Sequence, residues 1–302
     1  MTGGAGFVGA NLAPRLREQG WTPVAYDDLS AGHRTDAERA GYEDLVEADI
    51  VDAAALSDAA RGASAVVHLA ARTGVIDSIE DPRRDLEVNA IGTLNALLAA
   101  RDAGATAFVF ASSSAPLGET EAPVHEDLPA GPLSPYGASK LAGEGLCTAF
   151  AGSYGLSTTV LRFSNVYGPW SYHKGSVVAH FMKRIVADEP LVVYGDGEQT
   201  RDFVYVDDLC AGITSALDAG CRGEIVQLGS GTETSVNALV AALRESFADT
   251  EVDVRHEPPR AGEILRTYAD ISKARRMLGS APNVDLATGL ASTRDWFLGQ
   301  AR

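Results

Sequence analysis

A chain of 302 residues has material for one large domain or two modest ones, with enough apolar content for a core. Its formal net charge of −16 sets most of the surface against polyanions, so nucleic acid is excluded as the expected partner. No stretch approaches the ~18 apolar residues of a membrane span, and no basic segment leads into an apolar one as in a signal peptide.

The chain opens on a glycine-rich turn, Thr2-Gly3-Gly4-Ala5-Gly6-Phe7-Val8-Gly9. Gly3, Gly6 and Gly9 fall three apart, which suits a tight turn that brings backbone N–H groups and a helix N-terminus to a pyrophosphate. Apolar runs then alternate with amphipathic stretches, the signature of a parallel sheet flanked by helices. Candidate strands are Thr22–Tyr26, Leu45–Ala48, Ala65–Leu69, Ala107–Ala111 and Thr158–Phe163. Long helical segments cover Pro82–Ala103 and Pro135–Tyr154. A turn of this kind normally follows the central strand of its sheet, and here it stands directly after Met1. Either residues upstream supply that strand or the position is empty; the first is favoured, because an empty position orphans two sets of ladder groups.

From Tyr167 the texture changes, with turns at Gly168-Pro169 and Gly195-Asp196-Gly197. Val204–Asp218 reads as a strand end and helix returning to the first domain, and further helices start at Ser235 and cover Ser272–Leu278. The expected fold is α/β, a Rossmann-type doubly wound parallel sheet with a smaller C-terminal substrate domain. Residues 1–165 and about 202–227 form the first domain, and 166–201 with 228–302 the second.

The second strand ends in Tyr26-Asp27-Asp28. An acidic residue about 20 positions past the glycines binds both hydroxyls of an adenosine ribose and repels a 2′-phosphate. Asp27 therefore favours NAD over NADP, with Arg34 nearby as a counterweight. Asp49 and Ile50, closing the third strand, either bracket an adenine or belong to a solvated turn. Farther on, Ser134-Pro135 supplies an N-cap and a first helical proline, so Tyr136 and Lys140 project at i and i+4 from one face. A free tyrosine, with a pKa near ~10, is a poor base at neutral pH. An adjacent ammonium and a positively charged nicotinamide would stabilise its phenolate. The serine run Ser112-Ser113-Ser114 offers an orienting hydroxyl. Cys147, Cys210 and Cys221 lack metal-ligand spacing, and His68, His125, His180 and His256 do not cluster. The expectation is reduced thiols in a cytoplasmic protein, with no metal site and no membrane partner.

In this order the pieces resemble the extended short-chain dehydrogenase/reductases of the nucleotide-sugar epimerase/dehydratase family, and most of all its UDP-sugar 4-epimerases. The likeness covers nearly the whole chain. It is carried by the glycine turn, His68-Leu69-Ala70-Ala71, Asn89 in Val-Asn-Ala-Ile-Gly-Thr, and Tyr136 with Lys140. It continues through the runs Arg162 to Pro169 and Tyr194 to Phe203, then Arg260-Ala261-Gly262-Glu263. The resemblance implies NAD on Gly3, Gly6, Phe7, Val8, Asp27, Asp49, Ile50, Leu69, Ala70, Ala71, Asn89, Tyr136 and Lys140. It also implies a UDP-sugar whose diphosphate rests on Asn165, Arg201 and Arg260, with Glu263 on the ribose and Val192 to Tyr194 along the uracil. Permanently charged, planar arginines suit phosphate oxygens. Val178 is placed on the substrate side, and Thr73, Ser78 and Ser114 near the hexose.

The implied reaction inverts C4 of UDP-glucose, UDP-glucuronate or UDP-N-acetylglucosamine through a 4-keto sugar. Tyr136 takes the 4-hydroxyl proton as hydride leaves C4 for NAD, and hydride then returns to the opposite face. Ser113 bonds the same oxygen, being five residues before Gly118 where the family's catalytic hydroxyl precedes its Val-Tyr-Gly; Ser112 and Ser114 are the alternatives. Dehydratases of the family carry an Asp-Glu pair directly after that hydroxyl, and UDP-glucuronate decarboxylases a glutamate two positions on. Here Ser114 and Ala115 stand there, and neither moves a proton usefully. Two departures bear on the sugar: Val-Tyr-Gly becomes Pro116-Leu117-Gly118, and the loop Trp170–Gly175 is unusual. His173 and Lys174 in that loop either pair with a sugar carboxylate or are solvated charges. Dehydration, decarboxylation, 4-ketoreduction and non-catalytic NAD sensing remain the competing readings. The resemblance further implies a homodimer through Pro82–Ala103 and Pro135–Tyr154.

Overall fold

The computed structural model describes residues 1–259 and 264–300. Its first half runs α1 (Phe7–Glu18), β1 (Val24–Asp27), α2 (Arg34–Ala40), β2 (Asp44–Glu47), α3 (Ala53–Ala59) and β3 (Ala65–His68). Then α4 (Val75–Glu80), α5 (Pro82–Leu86), a π-helical turn at Glu87–Ile91 and α6 (Gly92–Asp102) lead to β4 (Ala107–Ser113). Next come α7 (Pro135–Tyr154), β5 (Thr158–Phe163), β6 (Asn165–Tyr167), α8 (Val177–Val186), β7 (Leu191–Tyr194) and β8 (Thr200–Arg201). After β9 (Phe203–Tyr205), α9 (Val206–Asp218), β10 (Glu224–Leu228), β11 (Thr234–Ser235), α10 (Val236–Ser246) and β12 (Val254–Glu257), α11 (Ser272–Leu278) and α12 (Leu286–Gln300) close the chain.

The expected doubly wound parallel sheet forms, with strands β10, β5, β4 and β3 side by side and β1 paired to β2. Thr2 joins the two halves by bridging Tyr26 on one side and His68 on the other. Its N–H donates to the Val67 carbonyl at 3.0 Å, its carbonyl accepts from Leu69 at 3.1 Å, and Tyr26 N–H donates to the Met1 carbonyl at 2.8 Å. The central position in question is therefore held by Met1 and Thr2. These two residues satisfy ladder groups of both neighbours where the site lies.

Two cores sandwich the sheet. Leu12, Leu16, Val109, Leu209 and Ile213 fill one face. Leu56, Leu97, Phe108, Phe110 and Phe150 fill the other. A separate core around Phe181, Met182, Leu191, Leu239 and Phe297 belongs to the second region. Beyond the boundary expected at 228, part of the chain packs back onto the first region. Ile271, at the N-cap of α11, and Ala274 and Leu278 within it, spaced three and four apart, pack into the first core against α9 and β10. The long Pro82–Ala103 helix also differs from expectation, since the π turn interrupts it.

Candidate active site

The glycine turn is pressed onto the end of β3. Gly3 has φ 67°, and a Cβ there would lie 2.6 Å from the Ala70 nitrogen, space that glycine alone leaves. α1 begins at Gly6 without a side-chain cap, so the N–H groups of Phe7 and Val8 are available to an anion. Asp27 ends β1 beside this turn, its Oδ2 accepting from Ala5 N–H and its Oδ1 from Leu29 N–H, both at 2.9 Å. Burial pushes its pKa up, while those two bonds pull it down. Arg34, the expected counterweight, pairs instead with Glu47 on the surface. Asp49 accepts from Val51 N–H at 3.0 Å and pairs with Arg84, and Ile50 is buried against α6. Leu69 to Ala71 follow β3 at the carboxyl edge of the sheet, half-buried. Backbone donors for a pyrophosphate and a carboxylate for a ribose diol fit an NAD molecule.

Strand β4 and helix α7 deliver the reactive groups. Ser134 Oγ caps α7 by accepting from Gly137 N–H at 3.1 Å, and Gly155 in the left-handed region stops it. Gly137 permits close docking, because a Cβ there would lie 2.6 Å from the Ala115 carbonyl oxygen. Tyr136 and Lys140 are both withdrawn from solvent, at 8% and 3% exposure. Lys140 Nζ donates to the Ala111 carbonyl at 2.8 Å and lies 4.9 Å from the centre of the Phe110 ring. Burial lowers its pKa to about 8, against the charges of Asp85 and Glu144, which push up. For Tyr136, burial pushes the pKa up, a hydrogen bond with Ser113 pulls it down, and Asp85 pushes it up again.

Strand alternation separates the three serines. Ser112 Oγ donates to Glu144 Oε1 at 2.6 Å, inside a buried ion pair in which Arg162 Nε and a terminal nitrogen reach the two carboxylate oxygens at 2.8 and 2.7 Å. Ser114 precedes a short 3-10 turn, Ala115–Leu117. Ser113 is the hydroxyl beside the phenol, its Oγ also accepting from Ala115 N–H at 3.1 Å.

Asn89 is buried and its amide is fully engaged. Oδ1 accepts from Arg72 N–H at 2.8 Å, and Nδ2 lies 3.0 Å from the Arg72 carbonyl, 3.0 Å from Asp85 Oδ1 and 3.1 Å from Ser139 Oγ. It therefore shapes the wall of the site through its neighbours. Asp85 and Ser139, joined at 2.6 Å, escape a reading of the sequence. Asp85 stands four residues before Asn89, but nothing local announces that α7 would bring Ser139 against it. A second buried chain runs from Thr2 Oγ1 to His68 Nδ1 at 2.6 Å, and from His68 Nε2 to Thr93 Oγ1 at 2.9 Å. Thr93 donates onward to the Asn89 carbonyl at 2.6 Å, which assigns the imidazole proton to Nε2. Burial holds this ring neutral, its pKa lowered to about 3.

On the substrate side, Lys174 Nζ lies 3.3 Å from Thr73 Oγ1, and its charge acts on Lys140. His173 instead lies against His33, ring centres 4.1 Å apart and planes tilted by 58°. Val192 and Tyr194 alternate with buried Leu191 and Val193, so they share the open face of β7. Asn165 opens β6 with its side chain exposed, and Arg201 donates to the carbonyls of Thr200 and Ile264, both at 2.8 Å. Two expected substrate residues face away from open space. Val178 lies on the apolar face of α8 inside the core of the second region, and Ser78 is buried with its hydroxyl donating to the Val75 carbonyl at 2.6 Å. Arg260 and Glu263 lie outside the described residues. Among the described residues, no three or more His, Cys, Asp or Glu side chains converge as metal ligands, and no helix is long and apolar enough to cross a membrane.

Comparison with known proteins agrees with this geometry. The model of the NAD dependent epimerase/dehydratase family matches residues 1–229. The chain is 37% identical to the UDP-glucose 4-epimerase of Mycolicibacterium smegmatis, across 98% of this chain and 97% of that protein. It is 33% identical to the UDP-glucuronate 4-epimerase of Thermodesulfobacterium geofontis, across 98% and 94%. Among solved structures it is similar to the UDP-glucose 4-epimerase of Thermotoga maritima with UDP-glucose, at 35% identity and a TM-score of 0.93, covering 100% of this chain and 98% of that one. Matched along most of its length by one family and similar end to end to enzymes within it, the chain belongs to the NAD dependent epimerase/dehydratase family.

Proposed function

We propose that this NAD-dependent enzyme is a UDP-sugar 4-epimerase. The observation that carries the reading is that β4 and α7 bring Ser113, Tyr136 and Lys140 to one site, beside a segment that offers Ser114 and Ala115 where elimination or decarboxylation would need an acid. Bound NAD supplies the acceptor, and later the donor, of the C4 hydride. The chain does the rest. Tyr136 takes the C4 hydroxyl proton and returns it, Ser113 holds that oxygen, and Lys140 as an ammonium favours the phenolate. Asn165 and Arg201, with Arg260, are proposed for the diphosphate, and Val192 and Tyr194 for the uracil face.

Among hexoses the reading favours a uronate. Lys174 reaches Thr73 and, among the described residues, has no carboxylate bonded to it, although acidic side chains outnumber basic ones by 41 to 25. A sugar carboxylate at C6 would supply the missing counter-charge. The test is incubation with UDP-glucose, UDP-N-acetylglucosamine and UDP-glucuronate separately, with products resolved by NMR. A C4-inverted product without added reductant is expected, and release of water or CO₂, or an unchanged sugar, would overturn the reading. Lys174→Met should shift the ratio of kcat/KM for UDP-glucuronate over UDP-glucose by about 10–100-fold toward glucose, the worth of one charge-assisted hydrogen bond.

A homodimer is proposed as well. Leu86 and Ile91 stand 52% and 45% exposed, beside Ala138, Ala142 and Gly145 on the open face of α7. Light scattering should give twice the chain mass, and Ile91→Asp should give the single-chain mass.

A further inference from the structure

We propose that Asp85 is a positioning residue for the Tyr136–Lys140 pair, its carboxylate serving as the counter-charge that keeps Lys140 an ammonium while it tethers α7 through Ser139. The inference rests on Tyr136 being the proton acceptor of the proposed reaction.

Asp85 is wholly buried, where an ionised carboxylate is costly unless hydrogen-bonded and opposed by a cation. Its hydrogen bonds are those from Ser139 and Asn89, both neutral groups. A neutral asparagine would serve a purely mechanical tether almost as well. Ser139, which bonds the Asp85 carboxylate at 2.6 Å, immediately precedes Lys140, so the cation nearest in the chain is Lys140, whose pKa the Asp85 charge pushes up. Nζ of Lys140 otherwise meets a carbonyl and an aromatic face.

The other groups around the pair do not replace it. From α7 itself, Glu144 is doubly bonded by Arg162, so its charge is already answered, and the buried thiol of Cys147 is held protonated. From β4, Ser113 is neutral, and from β3, His68 is kept neutral by burial. From the loop after β6, Lys174 adds a like charge that works against Lys140. Asp85, from α5, is the one carboxylate among these that no cation bonds directly.

The sign of its effect is fixed. A negative charge here raises the pKa of both Lys140 and Tyr136. Activity needs Tyr136 able to lose its proton and Lys140 able to keep one, so the coupled pair together sets the two limbs of the pH profile. Removing the charge lowers both, and the whole bell slides to lower pH. The experiment is the pH dependence of kcat/KM for Asp85→Asn, with Asp85→Ser as a smaller neutral variant should the amide pack badly. Each is expected to move both limbs down by about one pH unit. Ser139→Ala, which cuts the tether and leaves the charge, should lower kcat with both limbs in place.

Limbs that stay fixed in the neutral variants, with only the amplitude reduced, would overturn the inference and leave Asp85 a plain packing link. Should Tyr136→Phe retain full activity, the proposed reaction falls instead, so the two failures are told apart.

Discussion

Tyr136→Phe is expected to lower kcat about 10³-fold while leaving bound NAD and thermal stability near wild type. The substitution removes one oxygen from a side chain that is already buried, so the ring keeps its packing. What disappears is the phenol oxygen beside Ser113, the group proposed to take the C4 proton. Binding of the cofactor is proposed to rest on other parts, namely the glycine turn, the open N-terminus of α1 and Asp27. Rapid-quench turnover measured beside NAD content of the purified protein checks both halves. A variant that loses NAD in parallel with activity would make Tyr136 a cofactor ligand first and a proton carrier second. A loss below tenfold would remove it from the chemistry.

The largest effect on stability is expected at Glu144. Its carboxylate is buried between Ser112 and Arg162, within α7 and directly behind the reacting face. Glu144→Ala leaves the Arg162 guanidinium charged, buried and without an acceptor, and a terminal nitrogen of that guanidinium already lacks a partner. Breaking such a pair costs about 3–5 kcal/mol, a large share of the stability of a typical domain. Chemical denaturation should show this as a lower midpoint with an unchanged slope. Glu144→Met with Arg162→Met should recover much of the loss, because burying two apolar side chains avoids the orphaned charge. Equal damage from the single and double changes would place the cost in packing and clear the ion pair of it.

Local chemistry explains what could be read from the sequence. The start of α7 follows from Ser134-Pro135 and its end from Gly155, so the expected Pro135–Tyr154 coincides with the helix formed. β5 also forms at Thr158–Phe163 as its apolar run suggests. Asp27 and the glycine turn were legible because one motif spells out both the backbone and the ligand chemistry. The rest depends on tertiary apposition. Asp85 is an ordinary surface-type acid until α7 covers it, and Ser139 is an ordinary helix serine until Asp85 arrives. Val178 reads as a lining residue by position, yet the apolar face of α8 turns it inward. Similarly, α11 shows its helix in the sequence, but its docking onto β10 is decided by a groove built from distant residues.

The π turn at Glu87–Ile91 has a consequence for how this wall is built. Residues four apart drift about 40° per step around an α-helix, so Asp85, Asn89 and Thr93 would fan out across roughly 80°. A wider turn needs about a residue more per revolution and cancels most of that drift. All three are buried; Asn89 donates to the Asp85 carboxylate, and the Thr93 hydroxyl donates to the main-chain carbonyl of Asn89, each four residues back. The broadened turn thus works as a phase corrector, aligning a polar file that meets Ser139 at one end and His68 at the other. Deleting a single residue from this segment would restore ideal helix geometry and scatter that file.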